Sequence, residues 1–195
     1  LKLKSKLVLN VGGMFSGKST ELQRQGERHE LRGHSVLYVK PSMDNRYSEN
    51  EIVTHNGNKV HAVSVDTQKP DELLFITRIM QTQVICIDEI QFFDLNMIEA
   101  IDGLLKLGKR IYCSGLDLDF EGKPFEITAL LMAKSDEVNK LHAVCDNCGH
   151  DAWVTPRKTG EKEQVKLGEK ENYYPLCRTC FYEEQYQGFW GFEKE

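Results

Sequence analysis

No apolar run among the 195 residues approaches the roughly 20 that a membrane-spanning helix needs. The N-terminal stretch also lacks the hydrophobic segment of a secretory signal, although Leu1 is not an initiator methionine. A basic excess is missing too. Lys and Arg number 25 against 30 Asp and Glu, for a formal charge of −5, so any nucleic-acid role would have to be local. His29, His34, His55, His61, His142 and His150 show no metal-ligand spacing, and most are assigned to surface or core positions. The six cysteines do not read as a disulfide framework. Four fall into two C-x-x-C pairs, and Cys86 and Cys113 sit inside apolar runs as small buried hydrophobes. Together these features predict a protein of the reducing cytoplasm that engages neither membrane nor nucleic acid.

What is present begins at residue 12. Residues 12–19 read Gly-Gly-Met-Phe-Ser-Gly-Lys-Ser, a full G-x-x-x-x-G-K-[ST] phosphate-binding loop. The apolar run Leu7–Val11 precedes it and helix formers follow from Thr20, the strand–loop–helix context that the motif requires. Gly12 and Gly17 let the backbone curl so that successive N–H groups face phosphate oxygens. Lys18 neutralises β/γ-phosphate charge, Ser19 offers a hydroxyl to Mg²⁺, and the helix N-terminus adds its positive end. The loop from Gly12, Gly13, Met14, Phe15 and Ser16 through Gly17, Lys18, Ser19 and Thr20 is therefore expected to hold a nucleoside triphosphate.

Residues 6–134 alternate apolar runs (Leu7–Val11, Ser35–Val39, Val84–Ile87, Arg110–Cys113) with helical stretches (Ser19–Leu31, Asp71–Met80, Leu95–Leu107), with Gly33 and Gly108 as helix stops. That alternation predicts an α/β fold whose parallel sheet is covered on both faces. Ile52–Val65, with Asn56-Gly57, reads as a β-hairpin excursion. Arg24, Arg28 and Arg32 read as a solvated helix face. After Ser135 the composition shifts, and the insert 149–176 is too poor in apolar residues to order itself. Cys145-x-x-Cys148 and Cys177-x-x-Cys180 flank it, and four thiolates suit a closed, structural Zn²⁺ site that anchors both ends. Residues 181–195 are expected to be partly ordered at best.

Val84–Ile87 ends in Asp88 and Glu89. In a phosphate-loop fold the strand beside the loop strand is expected to deliver such an acid to the Mg²⁺. Neighbours on a strand face opposite sides, so Asp88 would hold the metal shell and Glu89 would take a proton from a substrate. Read alone, the pair fits a solvated turn equally well. Even beside the phosphate loop it does not separate a kinase from an ATPase.

The wider pattern does. Gly12–Leu22 resembles the phosphate loop of the type II thymidine kinase family of bacteria, poxviruses and the animal cytosol. The likeness continues through Lys40-Pro41, Asp44–Tyr47, Thr54–Gly57, Ile87–Phe93, Gly115–Phe120, Lys123–Phe125, Ala143–Cys145, Cys148, Gln164-Val165, Tyr173 and Cys177–Cys180. It implies a P-loop, RecA-like domain over residues 1–140, a zinc-ribbon domain over 141–182 carrying a lasso loop, and a tail at 183–195. It implies transfer of the γ-phosphoryl of ATP to the 5′-hydroxyl of thymidine, with Mg²⁺, structural zinc, feedback inhibition by dTTP and a homotetramer. The alternative is a RecA-like ATPase whose zinc ribbon binds nucleic acid or a protein; Arg157, Lys158, Lys162 and Lys166 would serve it, but Glu161, Glu163, Glu169 and Glu171 cancel them.

Carried over by position, Glu89 is the base, Arg46 stabilises the transferring phosphoryl, and Asp44 supports the site. Met14, Phe92, Leu116, Phe120, Phe125, Thr155 and Tyr173 would line the nucleoside pocket. Gln164, Val165, Lys166, Leu167 and Gly168 would grip thymine, largely through main-chain groups. Two departures stand out. Gly13 replaces a usual Pro, which should loosen the loop while leaving its donors intact. Gly168-Glu169 replaces Gly-Gly, which costs about 1 kcal/mol if that position needs positive φ.

Overall fold

The structure is a computed structural model that describes residues 3–42, 51–53, 59–158 and 172–185. In chain order its elements are β1 (Lys6–Val11), α1 (Lys18–Glu30), β2 (Val36–Ser42), β3 (Glu51–Val53), β4 (Lys59–His61), β5 (Val63–Asp66) and α2 (Glu72–Ile79). There follow β6 (Val84–Ile87), a single 3-10 turn (Ile90–Phe92), α3 (Asn96–Lys106), β7 (Arg110–Gly115), α4 (Glu126–Lys134), β8 (Glu137–Lys140) and α5 (Arg178–Gln185).

Six strands form one sheet in the order β5-β2-β6-β7-β1-β8, with every pairing parallel. Strand alternation divides the core cleanly. Leu7, Leu9, Val11, Ile85, Ile87 and Ile111 point to one face, where Leu73 of α2, Met97, Ile101 and Leu104 of α3, and Ile127 and Leu131 of α4 cover them. Val8, Tyr38, Cys86 and Tyr112 point to the other, where Leu22 of α1 and Ile52 of β3 pack. Each such Leu or Ile removed from water stabilises the fold by about 1.5–3 kcal/mol. Truncating a fully buried one such as Leu9 or Ile101 to Ala would cost about 2–5 kcal/mol. The sheet's C-terminal edge, where β1, β6 and β7 end, carries the phosphate loop and the acids.

Two expectations need revising, and one strand was not foreseen. The acid-bearing β6 does not lie beside β1, because β7 is inserted between them. Parallel strands connected through helices need not be spatial neighbours in sequence order, so adjacency was not readable from the chain. The hairpin is confined to β3 and β4, paired antiparallel, while Val63–Asp66 returns to the main sheet as an edge strand on β2. Its turn, with His55, Asn56 and Gly57, lies outside the described residues. β8, with sequence Glu-Val-Asn-Lys and mostly exposed, pairs with β1 at the opposite edge. An edge strand with so little apolar patterning gave no period-2 signal. Residues 181–185 form the end of α5, anchored by buried Phe181, and 186–195 lie outside the described residues.

The predicted helices stand to within a residue at each end, and Gly33 and Gly108 follow α1 and α3 with positive φ. Cys86 and Cys113 are fully buried, and burial pushes both thiols well above their ordinary range, consistent with inert packing. A third cluster (Cys145, Val154, Leu176, Cys180 and Phe181, with Trp153 and Tyr174 against it) stands apart from the sheet.

Candidate active site

The phosphate loop follows from its glycines. Gly12 has φ +146°, and a Cβ there would lie 2.0 Å from the Leu141 carbonyl oxygen. Gly17 turns left-handed, φ +84°, directly before α1. Phe15 also has positive φ, +66°, a strained setting for an aromatic residue. Inside the curl, Lys18 Nζ and Ser16 Oγ both donate to the Gly13 carbonyl, at 2.7 and 2.8 Å. Lys18 is buried. Desolvation pulls its ammonium below the usual lysine range, while Glu89, Asp88 and Asp117 oppose that shift, so three carboxylates face this one cation.

Gly13 lies against Thr155. A Cβ on it would stand 2.6 Å from Thr155 Oγ1, and the same hydroxyl oxygen accepts the Met14 N–H at 3.0 Å. The missing side chain makes room for Thr155, which ties the loop at this point through the Met14 N–H. One of its N–H donors is engaged by the four-cysteine region of the chain.

Asp88 closes β6. Its N–H donates to the Val39 carbonyl at 2.8 Å, and its Oδ1 accepts the Ser114 hydroxyl from β7 and the Glu89 N–H. The intervening strand thus supplies the group that anchors the acid. Glu89 leaves the strand in a left-handed conformation, φ +51° and ψ +46°. This turn, not strand alternation, separates the two carboxylates. The Ser19 hydroxyl and the Asp88 carboxylate are hard oxygen donors of the kind that suits Mg²⁺.

Gln91 is the residue that motif reasoning passed over. It is buried, its Nε2 donates to Glu89 Oε2 at 2.5 Å, and its Oε1 accepts the Leu116 N–H at 3.0 Å. A Glu followed two residues later by an amide was the available signal, but only the 3-10 turn brings the two side chains together.

The expected nucleoside-pocket residues divide into groups. Met14 and Thr155 meet directly, and Leu116 is tied to Glu89 through Gln91. Phe120 and Tyr173 both lie near Arg157, whose guanidinium carbon is 4.5 Å from the first ring centroid and 5.3 Å from the second. Asp119 shapes the loop that presents Phe120, its Oδ1 accepting the N–H groups of Glu121 and Lys123. Phe92 is half-buried at the end of the 3-10 turn, and Phe125 is buried at the head of α4. Asp44 and Arg46, and Gln164, Val165, Lys166, Leu167 and Gly168, lie outside the described residues.

The four cysteines converge as their spacing predicted. The sulfurs of Cys145, Cys148, Cys177 and Cys180 all lie within 4.8 Å of one another, and Cys148 and Cys177 are 3.6 Å apart. A tetrahedral site with Zn–S of about 2.3 Å requires S···S edges of about 3.8 Å. No other cluster of metal-ligating side chains is found among the described residues. No helix among them is long and apolar enough to cross a membrane.

A glycine loop at the tip of a parallel-sheet strand, a buried lysine under three carboxylates and a separate four-sulfur cluster define an α/β protein of phosphate-loop type with a four-cysteine cluster able to hold a metal. The sequence model of the family described as thymidine kinase matches residues 5–181. The thymidine kinase of Bacteroides fragilis (strain YCH46) is 41% identical over 170 residues, covering 87% of this chain and 83% of that protein. The Bacteroides thetaiotaomicron thymidine kinase matches to the same extent. The chain belongs to the thymidine kinase family. Among solved structures, the flagellar accessory protein FlaH from Methanocaldococcus jannaschii overlays 82% of this chain and 75% of its own at TM-score 0.48 and 14% identity, too remote to bear on function.

Proposed function

We propose that this protein transfers the γ-phosphoryl of ATP to the 5′-hydroxyl of thymidine, giving dTMP. The observation that carries the reading is the Glu89 carboxylate, held by Gln91 and close enough to the buried Lys18 to act on its charge. An acceptor hydroxyl must lose its proton as it attacks, and Glu89 is the carboxylate fixed for that task. Lys18 and the loop amides hold the β- and γ-phosphates, so the reaction is accelerated mainly by positioning and charge stabilisation. Ser19 and Asp88 would hold Mg²⁺, which when bound neutralises phosphate charge. Arg46 and Asp44 are assigned to the phosphoryl and to support of the site.

Met14, Phe92, Leu116, Phe120, Phe125, Thr155 and Tyr173 form the nucleoside pocket in this reading, closed by a lasso within 141–182 that includes residues 164–168. Zinc on the four cysteines is structural, holding the lasso's two ends. Inhibition by dTTP, a homotetrameric assembly and a cytoplasmic location complete the proposal.

Thymine offers acceptors at O2 and O4 and a donor at N3, whereas cytosine reverses the last two. A main-chain clamp built for thymine leaves two mismatched groups on deoxycytidine, each costing about 1–3 kcal/mol when buried. The test is radiolabelled transfer from ATP to thymidine, deoxycytidine and water in parallel. Thymidine is expected to lead deoxycytidine by at least about a hundredfold in kcat/KM. Release of phosphate to water without transfer to either nucleoside would overturn the reading in favour of an ATPase.

A further inference from the structure

Arg157 joins the two bodies of the molecule at the nucleoside pocket. It lies on an irregular antiparallel ladder in which Val154 bridges Leu176 and Arg157 bridges Tyr173. Backbone bonds from Lys158 N–H to the Asn172 carbonyl and from Tyr174 N–H to the Pro156 carbonyl hold that ladder at 2.8 and 3.2 Å. Extended residues two apart face the same side. Thr155, which accepts the Met14 N–H, therefore shares its side with Arg157, so one short segment touches both the phosphate loop and the aromatic wall.

The guanidinium is committed on three sides. Its Nε donates to Tyr173 Oη at 2.7 Å, one face lies over the Phe120 ring, and Tyr173 provides a second π surface. Phe120 belongs to the loop between β7 and α4 of the sheet body, whereas Tyr173 belongs to the four-cysteine region. Nη1 and Nη2 are enclosed and, among the described residues, have no hydrogen-bond partner. A buried charged donor without an acceptor opposes folding, and an apolar side chain of similar length would fill the same space without that penalty. Stability therefore does not account for an arginine here. Its planar fork does, because stacking and a directed N–H bond fix ring orientation where a flexible apolar chain would not.

We infer that Arg157 is a positioning residue for the nucleoside, setting the spacing between the Phe120 and Tyr173 walls so that the pyrimidine enters a preformed slot. The inference rests on the thymidine-kinase reading of the site. It acts through the rings, not on the reacting atoms. Its loss weakens nucleoside binding while leaving phosphate-loop chemistry intact.

The experiment is steady-state kinetics on the zinc-loaded full chain. Arg157→Met is expected to raise KM for thymidine at least tenfold, with kcat within threefold and KM for ATP within twofold of wild type. Arg157→Lys, which keeps the charge but not the fork, is expected to fall between. Tyr173→Phe, which deletes only the Nε partner, is expected to raise the same KM about threefold, and it serves if Arg157→Met does not fold. In Arg157→Gly, millimolar guanidinium is expected to lower the thymidine KM again, a rescue that a purely structural role would not produce. An unmoved thymidine KM in these variants, or a fall in kcat with KM unchanged, overturns the inference alone. A wild-type enzyme that does not phosphorylate thymidine overturns the functional reading and this inference with it.

Discussion

Gln91 holds Glu89 from two residues away, its Nε2 donating to Oε2 while its Oε1 accepts the Leu116 N–H. The contact spans the 3-10 turn after β6 and the end of β7, so the candidate base is oriented by two neighbouring strand ends. A carboxylate on a left-handed residue at a strand terminus needs such side-chain contacts to fix its direction. The amide restrains its rotation through the hydrogen bond to Oε2.

Glu89→Gln is expected to lower kcat by about two orders of magnitude or more, because an amide does not accept the acceptor hydroxyl's proton. ATP affinity, measured by equilibrium binding, stays near wild type. A near-normal kcat would remove Glu89 from the mechanism.

Gln91→Met keeps the buried volume but deletes both hydrogen bonds. The expected result is a kcat about ten- to a hundredfold lower, the order that misplacement of a reacting group by about 1 Å produces. KM for ATP should move little, since the hydrogen bonds of Gln91 go to Glu89 and Leu116. A variant as fast as wild type would show that Glu89 needs no support.

Gly13 and Thr155 predict a signed coupling. Gly13→Ala places a Cβ against Thr155 Oγ1, at 2.6 Å in the unrelaxed geometry, and is expected to raise KM for ATP severalfold. Thr155→Ala in the same chain removes the obstructing hydroxyl and recovers most of that loss. Residues in contact typically couple by about 0.5–3 kcal/mol in such cycles. Additive effects in the four-way comparison would mean that the two sites do not meet in solution.

Cys145→Ser or Cys177→Ser is expected to release the metal and loosen the third hydrophobic cluster, with the six-stranded sheet retained. Metal analysis of wild-type protein purified without chelator should give about one zinc per chain. Less than half an equivalent would argue against a structural zinc site.

His29 provides a pH test. Burial first, then the neighbouring Arg110, His34, Arg32 and Arg28, depress its imidazole to about 4, and its Nε2 shares a hydrogen bond of 2.9 Å with Tyr112 Oη. The unfolded chain binds this proton near pH 6.5 and the folded chain only near pH 4. The contribution of His29 is therefore fully present above about 6.5 and is lost as pH falls through that window. Denaturant midpoints for wild type should fall between pH 7 and pH 4.5 more steeply than those of His29→Asn. Parallel slopes would show that His29 titrates normally in the folded state.

Much of this protein is local and was legible in its order of residues. The phosphate loop is contiguous, so glycine spacing, lysine and hydroxyl identify it without any fold. The two C-x-x-C pairs announce a four-thiolate site because each pair is a chelating unit in itself. The long helices and the central strands follow from apolar periodicity strong enough to outlast errors at their ends. Tertiary structure alone decided the rest. The insertion of β7 between β1 and β6 is a choice of crossover, which no local pattern encodes. The anchoring of Asp88 by Ser114 follows from that choice, and the polar edge strand β8 is defined by its partner rather than by its own residues. The grip of Gln91 on Glu89, the approach of Thr155 to Gly13 and the contacts of Arg157 with Phe120 and Tyr173 join residues separated by a turn, by most of the chain, or by a whole module. Such contacts depend on where elements dock, and docking is set by the summed burial of two sheet faces rather than by any single motif.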